Sequence, residues 1–419
     1  MHPKQCGKRI GMAAVVMAAL WMAAPAAAQQ AVVATVAADY GSAAHSVISV
    51  DPMGGPRSVR NELLPTSVSD IALSAYGQHF YRIERFQADN VTKFHIDAPE
   101  TPIWQFSTND PGEEGSSNPL TLIFVDESKA YLLRYGKPTA WIVNPSATSQ
   151  AGFKIGELDL SAYADADGIP EMSGGAIVDG KLFIVCQRLE NFVPVNNAYV
   201  AVFDTITDEE IDTATSDIIA GIELPIKNPM GMREIGGGIY VQGSGDMGAD
   251  WAGRNPEYTG GIVRIDPLTH EVEMVVDDGD ADDHPYGNIS GMAMVSADKG
   301  YFVGYAGWGN NTLYAFNPIT GDVSGPANDY LTGKSIAGMN AGAFADANGM
   351  LWVCNSTDAE VVILNPADDR IDETISTVLD PIQVVFVSEP AAPPAGGDDG
   401  NDSGGGGGGC FIGATRFGW

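Results

Sequence analysis

The sequence predicts an all-β fold, specifically a β-propeller of seven blades closed into a ring. Three observations support this prediction: a repeated strand-and-turn unit, a strand without partners near the C-terminal end, and a high content of turn residues. Fifty glycines and 25 prolines among 419 residues suit a chain that reverses direction often. The hydrophobic content of 44% is sufficient for one large folded core.

The repeated unit is an apolar strand that ends in Asp or Asn, usually followed by Pro. β-branched and aromatic residues form the strand, and an Asx residue with Pro begins a type I turn. A short strand follows each turn and a hairpin precedes most units, so that each unit holds four strands. The copies are 46 to 62 residues apart, the spacing of propeller blades. The seven turn residues are Asp51, Asp97, Asn144, Asp204, Asp266, Asn317 and Asn365.

The two ends of this array predict how the ring closes. The first copy has no innermost strand upstream, whereas the strand at 382–387 follows the seventh copy without partners of its own. If these segments share one blade, no sheet edge remains free for aggregation. The alternative folds are a two-sheet sandwich or an array of sandwich domains, and neither explains an incomplete unit at each end. We therefore expect the propeller to span residues 31–388.

The N-terminus has the composition of a signal peptide, which we expect to span residues 1–28. Lys4, Lys8 and Arg9 precede an apolar run, and three alanines at 26–28 suit a cleavage site. The apolar run is shorter than the ~20 residues of a membrane-spanning helix, which disfavours an uncleaved anchor. The sequence thus predicts an exported protein, whether secreted, periplasmic or on the cell surface, without an integral membrane span.

The charge of the chain restricts its partners. A net charge of −32 repels nucleic acid and anionic lipid, so we expect neither as a partner. We expect a monomer whose partner is a protein or a glycan at the cell surface.

The repeated units resemble those of a known family of exported propellers. With Asn-Pro-x-Thr-Gly at 317–321 and Asp-Pro-Leu-Thr at 266–269, the chain is similar to the YVTN-repeat, or YncE-like, seven-bladed propellers. The resemblance covers residues 31–388, although no Tyr-Val-Thr-Asn tetrapeptide occurs in this chain. It implies a binding or cell-surface role.

The C-terminal tail carries a second resemblance. Residues 389–409 form a linker rich in Pro, Gly and Asp, which we expect to be disordered. Residues 410–419 begin with Cys-Phe-Ile and resemble, in degenerate form, the CFI-box segments that end some exported bacterial proteins. That resemblance implies a sorting signal with Cys410 as its reactive residue. The alternative is a disordered end with a free thiol.

The long connections are predicted to lie on one face of the ring. In a propeller, the connections from strand two to strand three and from strand four to the next blade share a face. Loops carried by a rigid scaffold are where binding residues concentrate. We therefore place the functional site on this surface, called the loop-rich face. The long connections that map to it are residues 106–119, 159–174, 189–198, 243–260 and 277–290.

Arginine and tryptophan residues are the first candidates for ligand binding on this face. A guanidinium near the channel mouth can hold a carboxylate ligand, or it can pair with the chain's own Asp and Glu residues. An indole on a loop can stack on a sugar or a partner's apolar group, or it can cover the core. The candidates are Arg134, Arg188, Arg233, Trp251, Arg254 and Trp308.

An acidic loop is the second candidate. Asp277, Asp280, Asp282 and Asp283 lie within seven residues of one another, and Ca²⁺ is the cation that such oxygen ligands would select. The loop lacks the spacing of a calcium-binding loop, and a solvated acidic loop is the alternative interpretation.

Catalytic signatures are absent from the sequence. It contains no Gly-x-Ser-x-Gly, Cys-x-x-Cys, phosphate loop or dinucleotide fingerprint. The sequence thus favours a non-catalytic binding protein. The alternative is a propeller enzyme, similar to a lyase or a lactonase, with a divalent metal held by Asp and Glu at the channel mouth. Cys186 and Cys354 belong to blades on nearly opposite sides of the ring, so we expect two free, buried thiols.

Overall fold

The computed structural model describes residues 29–51, 56–215, 219–249, 253–307, 309–337 and 345–388. These residues form 28 strands in seven four-stranded antiparallel sheets. The predicted seven-bladed β-propeller is therefore confirmed. Within the described ranges, no helix has the length and apolar character needed to cross a membrane.

The four strands of each blade run in order from the channel outward. Blade 1 contains β28 (Asp380–Ser388), β1 (Gln29–Val36), β2 (Ala43–Ser49) and β3 (Val59–Thr66). Blade 2 contains β4 (Ile71–Tyr76), β5 (His79–Glu84), β6 (Asn90–His95) and β7 (Pro102–Ser107). Blade 3 contains β8 (Pro119–Phe124), β9 (Ala130–Arg134), β10 (Thr139–Val143) and β11 (Lys154–Asp159).

The remaining four blades follow the same order. Blade 4 contains β12 (Met172–Val178), β13 (Lys181–Cys186), β14 (Tyr199–Asp204) and β15 (Ile222–Glu223). Blade 5 contains β16 (Pro229–Ile235), β17 (Gly238–Gly243), β18 (Gly261–Ile265) and β19 (Val272–Val276). Blade 6 contains β20 (Asn288–Ser296), β21 (Lys299–Tyr305), β22 (Asn311–Phe316) and β23 (Val323–Pro326). Blade 7 contains β24 (Ile336–Ala337), β25 (Leu351–Asn355), β26 (Glu360–Asn365) and β27 (Arg370–Ser376).

The last strand closes the ring, as the sequence predicted. β28 pairs with β1 in antiparallel register, with Gln29 opposite Ser388. The Gln383 side chain joins β28 to the innermost strand of blade 2, because it accepts a hydrogen bond from Leu73 N at 2.7 Å and donates one to Leu73 O at 3.0 Å. β1 begins and β28 ends at the pair Gln29–Ser388. Both ends of the described propeller therefore lie on the face opposite the loop-rich face.

Five of the seven Asx turns that define the repeat form as expected. The side-chain oxygen accepts the backbone N–H two residues later, at 2.8 Å in both Asp204 and Asp266. This local bond replaces backbone pairing at the turn and explains why Asp or Asn recurs there. Asn144, Asn317 and Asn365 make the same bond.

Side chains on the opposite face join neighbouring blades. Lys129 and Tyr131 of blade 3 both contact Asp208 of blade 4, at 2.7 Å and 2.6 Å. Lys299 and Tyr301 of blade 6 contact Asp369 of blade 7 in the same way. These two sets, called the interblade clamps, attach a blade to the turn after the third strand of the next blade.

The two cysteines of the described body are free and buried, which confirms that prediction. Cys186 ends β13 and Cys354 lies in β25, so they occupy equivalent strands of blades 4 and 7. Burial raises the pKa of both thiols far above the ordinary value, which makes them unreactive.

The strand order places the five predicted long connections on the loop-rich face. The structure adds a long connection that the sequence did not distinguish: between β14 and β15, the described residues 205–215 and 219–221 lie on the opposite face. There Ile211 N donates to Val202 O at 2.8 Å, which extends the sheet beyond the two residues of β15. The repeat pattern hid this insertion because it begins with an ordinary Asx turn at Asp204.

Candidate functional site

The central channel opens on the loop-rich face through a mouth lined by both polar and apolar residues. A cavity of about 510 Å³ lies there, lined by residues at the start of innermost strands from several blades. Half of the lining residues are apolar, Met230 and Met247 among them, and the other half carry polar side chains. The polar lining residues are Asp70, Arg85, Tyr135, Ser173, Gln187, Asn228 and Gln383.

A chain of hydrogen bonds, called the polar arc, runs along this mouth through blades 3 to 6. Tyr135 donates its hydroxyl to Gln187 Oε1 at 2.9 Å, and Gln187 Nε2 donates to Asn228 Oδ1 at 2.7 Å. Asn228 Nδ2 then donates to Ser244 Oγ at 2.9 Å, and Asn288 Nδ2 donates to Ser244 O at 2.9 Å. The arc orients these side chains before any ligand arrives, which reduces the entropy cost of binding.

The residue that precedes an innermost strand has left-handed backbone in four consecutive blades. The φ values are 44° for Asn118, 49° for Glu171, 50° for Asn228 and 63° for Gly287. Asparagine and glycine adopt this region readily, whereas glutamate does so at a cost of ~1–3 kcal/mol. Glu171 is thus held in a strained conformation at the rim of the mouth.

Glu171 has a strongly shifted ionisation. Burial raises its pKa to about 7, and the neighbouring Asp167 and Asp165 contribute to the increase. The N–H of Leu189, which donates to Glu171 Oε2 at 3.0 Å, opposes the shift only in part. A carboxyl group that titrates near neutral pH therefore lies beside the channel mouth.

A wide groove rich in tyrosine lies between blades 5 and 6 on the same face. It encloses about 860 Å³, and Met247 lines both this groove and the channel mouth. Tyr258 and His284 stack with ring centroids 4.0 Å apart and planes within 8° of parallel. The tyrosine groove is defined by these two rings together with Tyr286, Tyr305 and Tyr314.

A smaller cavity of about 370 Å³ lies on the other side of the mouth, among blades 2 to 4. Tyr135 lines both this cavity and the channel mouth. The phenylalanine cavity is defined by Phe86, Tyr135, Lys137, Glu171 and Phe192. The loop-rich face thus carries three adjoining concave regions.

The structure places the predicted arginines in contacts within the protein. Arg134 is buried, forms an ion pair with Glu113 and lies 4.4 Å above the Trp141 ring, so a chain carboxylate takes the position proposed for a ligand. Arg188 lies 5.3 Å above the Tyr199 ring. Arg233 donates to Met232 O at 2.7 Å, and burial lowers the pKa of Arg233 to about 10.

The other predicted binding residues divide between described and undescribed positions. Arg254 forms an ion pair with Asp246 at 3.1 Å. Trp251, Trp308 and Cys410 lie outside the described residues, as do the predicted signal peptide, linker and C-terminal segment. Their roles stay predictions.

The carboxylates of the acidic loop cap the backbone of the loop itself. Asp277 accepts the N–H of Gly279 at 2.9 Å, and Asp280 accepts the N–H groups of Asp282 and Asp283 at 2.8 and 2.9 Å. Across the described part of the chain, no three His, Cys, Asp or Glu side chains converge as a metal site would require. Binding of Ca²⁺ by this loop stays a prediction.

The aromatic residues of both cavities were not predicted from the sequence. Tyr258 and Tyr286 lie in long connections that were expected to carry the site, yet Tyr305 ends a strand of the next blade. The aromatic type of these residues was the only sign that the sequence offered. Only the folded propeller brings residues of two blades into one groove.

The strand order and the closure by β28 define the protein as a seven-bladed β-propeller. Among solved structures, the chain is similar to a putative 6-phosphogluconolactonase from Bacteroides fragilis, with 12% identity, a TM-score of 0.55, and coverage of 86% of this chain and 98% of that one. It is also similar to apo AztD from Citrobacter koseri, with 14% identity, a TM-score of 0.49, and coverage of 87% and 99%. A third similar structure is virginiamycin B lyase from Staphylococcus aureus, with 12% identity, a TM-score of 0.48, and coverage of 76% and 91%.

At 12% identity, the likeness to the Bacteroides fragilis protein shows a shared fold and nothing about ligands. No family model matches the chain, and a search of curated protein sequences gives no match either. Membership of the YVTN-repeat propellers stays a prediction from the repeat motifs.

Proposed function

We propose that this protein is an exported, non-catalytic propeller that binds a neutral glycan in the tyrosine groove of its loop-rich face. The observation that carries the proposal is the groove itself, about 860 Å³ in volume and bordered by five rings from two blades. This volume lies within the range of small-molecule and cofactor sites, which is roughly 300–1,000 Å³.

The rings of the groove suit carbohydrate chemistry. Tyr258, Tyr286 and Tyr305 are half-buried, so part of each ring faces the groove while the rest is held by packing. A flat ring covers the C–H face of a sugar, and a phenol hydroxyl bonds its hydroxyl groups. Tyrosine also provides this contact area at a low conformational-entropy cost.

Glycines keep the groove open at the points of closest packing. A Cβ atom added to Gly304 would lie 2.7 Å from the Tyr314 ring, which is too close for any side chain. The backbone therefore approaches the ring directly, and the groove keeps its depth.

The charge of the groove selects the kind of glycan. Among the described lining residues none is Asp, Glu, Lys or Arg, although the chain as a whole carries a net charge of −32. An anionic glycan would be repelled by the acidic body and would find no Lys or Arg among these side chains. A neutral oligosaccharide meets neither obstacle.

Binding of neutral oligosaccharides by the mature protein tests the proposal. Glucan, mannan and galactan fragments are screened on an array, and the best one is titrated by calorimetry. The double variant Tyr258→Ala/Tyr286→Ala should bind about tenfold more weakly or worse, since two stacking contacts are lost.

Tyr330→Ala is the matched control for this experiment. Tyr330 is 42% exposed in the connection between blades 6 and 7, outside the groove, and its hydroxyl donates to Glu360 at 2.6 Å. Its removal should leave glycan affinity unchanged. If no neutral glycan binds, or if the double variant binds as well as the unaltered protein, the proposal is wrong, and capture of a protein partner by the groove would then replace it.

A further inference from the structure

We propose a second binding site on the loop-rich face: the phenylalanine cavity takes a small organic ammonium ion. The cavity of about 370 Å³ has two exposed phenyl rings at its rim and an acidic residue at its base. This site is separate from the tyrosine groove and makes no use of it.

The rim rings come from blades on either side of blade 3. Phe86 follows β5 and is 57% exposed, and Phe192 follows β13 and is 82% exposed. Each ring displays apolar surface to water, which costs free energy unless a partner covers it. Tyr135 of blade 3 adds a third ring between them.

Phe192 is strained as well as exposed. Asn191 and Phe192 have φ values of 53° and 64°, and Glu190 and Val193 exchange backbone hydrogen bonds of 3.0 Å around them. Two positive φ values in such a tight turn are typical of type I′, which favours glycine at the second central position. A bulky ring here makes the turn less stable, so the needs of the turn do not explain why a phenylalanine occupies position 192.

The base of the cavity carries an acidic group without a matching cation. Glu171 is only 5% exposed, and it forms no ion pair with any described residue. Lys137 also lines the cavity, but its ammonium group donates to Glu114 O and lies 3.4 Å from Glu113. Burying a carboxylate in this way is costly, and a bound cation would offset that cost.

Aromatic faces together with a buried carboxylate define the chemistry of the ligand. The negative face of a phenyl ring attracts an ammonium ion within ~6 Å, and the carboxylate adds direct Coulomb attraction. A bare metal ion would instead need several converging oxygen or nitrogen ligands, and the described residues do not assemble such a set. A primary or quaternary ammonium ion on a small carbon frame fits both features.

The test compares charged and neutral probes of the same shape. The mature protein is titrated with choline, with n-butylammonium, and with 3,3-dimethylbutan-1-ol, the neutral carbon analogue of choline. At least one of the two cations should bind saturably, and the neutral analogue should bind about tenfold more weakly or not at all. Failure of both cations to bind, or equal binding of the neutral analogue, would overturn the proposal.

Two variants locate the binding. Phe192→Gly removes the ring and provides the residue that the turn prefers, so it should weaken cation binding while raising the melting temperature. Glu171→Gln keeps the shape and removes the charge, and it should weaken cation binding about tenfold. An unchanged cation affinity in both variants would refute this site.

The control variant is Glu209→Gln, which removes the same charge from an exposed turn on the opposite face. It should bind the cation as the unaltered protein does. Glycan binding measured on the same variants separates the two proposals, because neither Phe192 nor Glu171 lines the tyrosine groove.

Discussion

The two faces of the ring consist of the same seven blades but use their turns differently. On the opposite face, most turns are short Asx turns, and the carboxylates of Asp208 and Asp369 hold neighbouring blades together. On the loop-rich face, long connections surround cavities, and Glu171 and Phe192 are held in strained conformations. Left-handed backbone occurs on both faces, since Asp208 and Asp369 have φ values of 59° and 56°. The two faces differ instead in the use of their side chains, which join blades on the opposite face and line concave regions on the loop-rich face.

The largest expected effect concerns the closing strand. A chain that ends at Leu379 lacks β28, so the innermost position of blade 1 is empty and β1 keeps only β2 as a partner. We expect this chain not to fold, which circular dichroism and thermal melting would show. A chain that ends at Ser388 is the control and should melt like the full chain. Cooperative melting of the shorter chain would contradict closure by β28.

The interblade clamps should contribute a moderate part of the stability. Asp208→Asn weakens the contacts to Lys129 and Tyr131, and we expect a loss of about 1–3 kcal/mol in the free energy of unfolding. Asp322→Asn is the control, because Asp322 is exposed and accepts a hydrogen bond from Thr320 within its own turn. Denaturant titration measures both. Small losses of equal size in the free energy of unfolding of the two variants would show that the interblade clamps do not stabilise the ring.

An effect of similar size is a pH dependence of the free energy of unfolding, caused by Glu171 on the loop-rich face. Because burial raises the pKa of Glu171 from its ordinary value of 4.5 to about 7, the folded state holds a proton that the unfolded state releases. The stability contribution of this group is therefore present at pH 4 and is lost as the pH rises to about 7.

Glu171→Gln should stabilise the protein at pH 8 by roughly 1–3 kcal/mol and change little at pH 4.5. Asp165, Asp167, Tyr135 and the Cys186 thiol surround this carboxyl group and remain in both proteins, so the difference between them isolates Glu171. Denaturant unfolding at the two pH values measures it, with Glu209→Gln as the control. A gain in stability of the same size at both pH values would show that burial does not raise the pKa of Glu171.

The repeat made most of the fold predictable. Five blades show the same local contact: an Asx residue such as Asp266 accepts a hydrogen bond from the backbone N–H two residues later. This contact does not depend on distant parts of the chain. The strand at 382–387 could be assigned to blade 1 because a closed ring leaves it no other partner. The same strand order placed the five long connections on one face.

The candidate site was predictable only as a surface. Arg134 illustrates the limit: the sequence placed it near the mouth, but the pairing with Glu113 depends on how the connection 106–119 folds back. The tyrosine groove joins connections from two blades, so no local pattern marks it. The strain at Phe192 is likewise visible only once the turn is known to have positive φ.

The sequence by itself determined the number of blades, the turn chemistry and the closing strand, because these depend on contacts between residues close in the chain or on a strict period. Only the tertiary structure decided which side chains meet on the loop-rich face. Those contacts join residues from different blades. Their distances depend on how the sheets pack around the channel, and the spacing of residues in the sequence does not determine that packing.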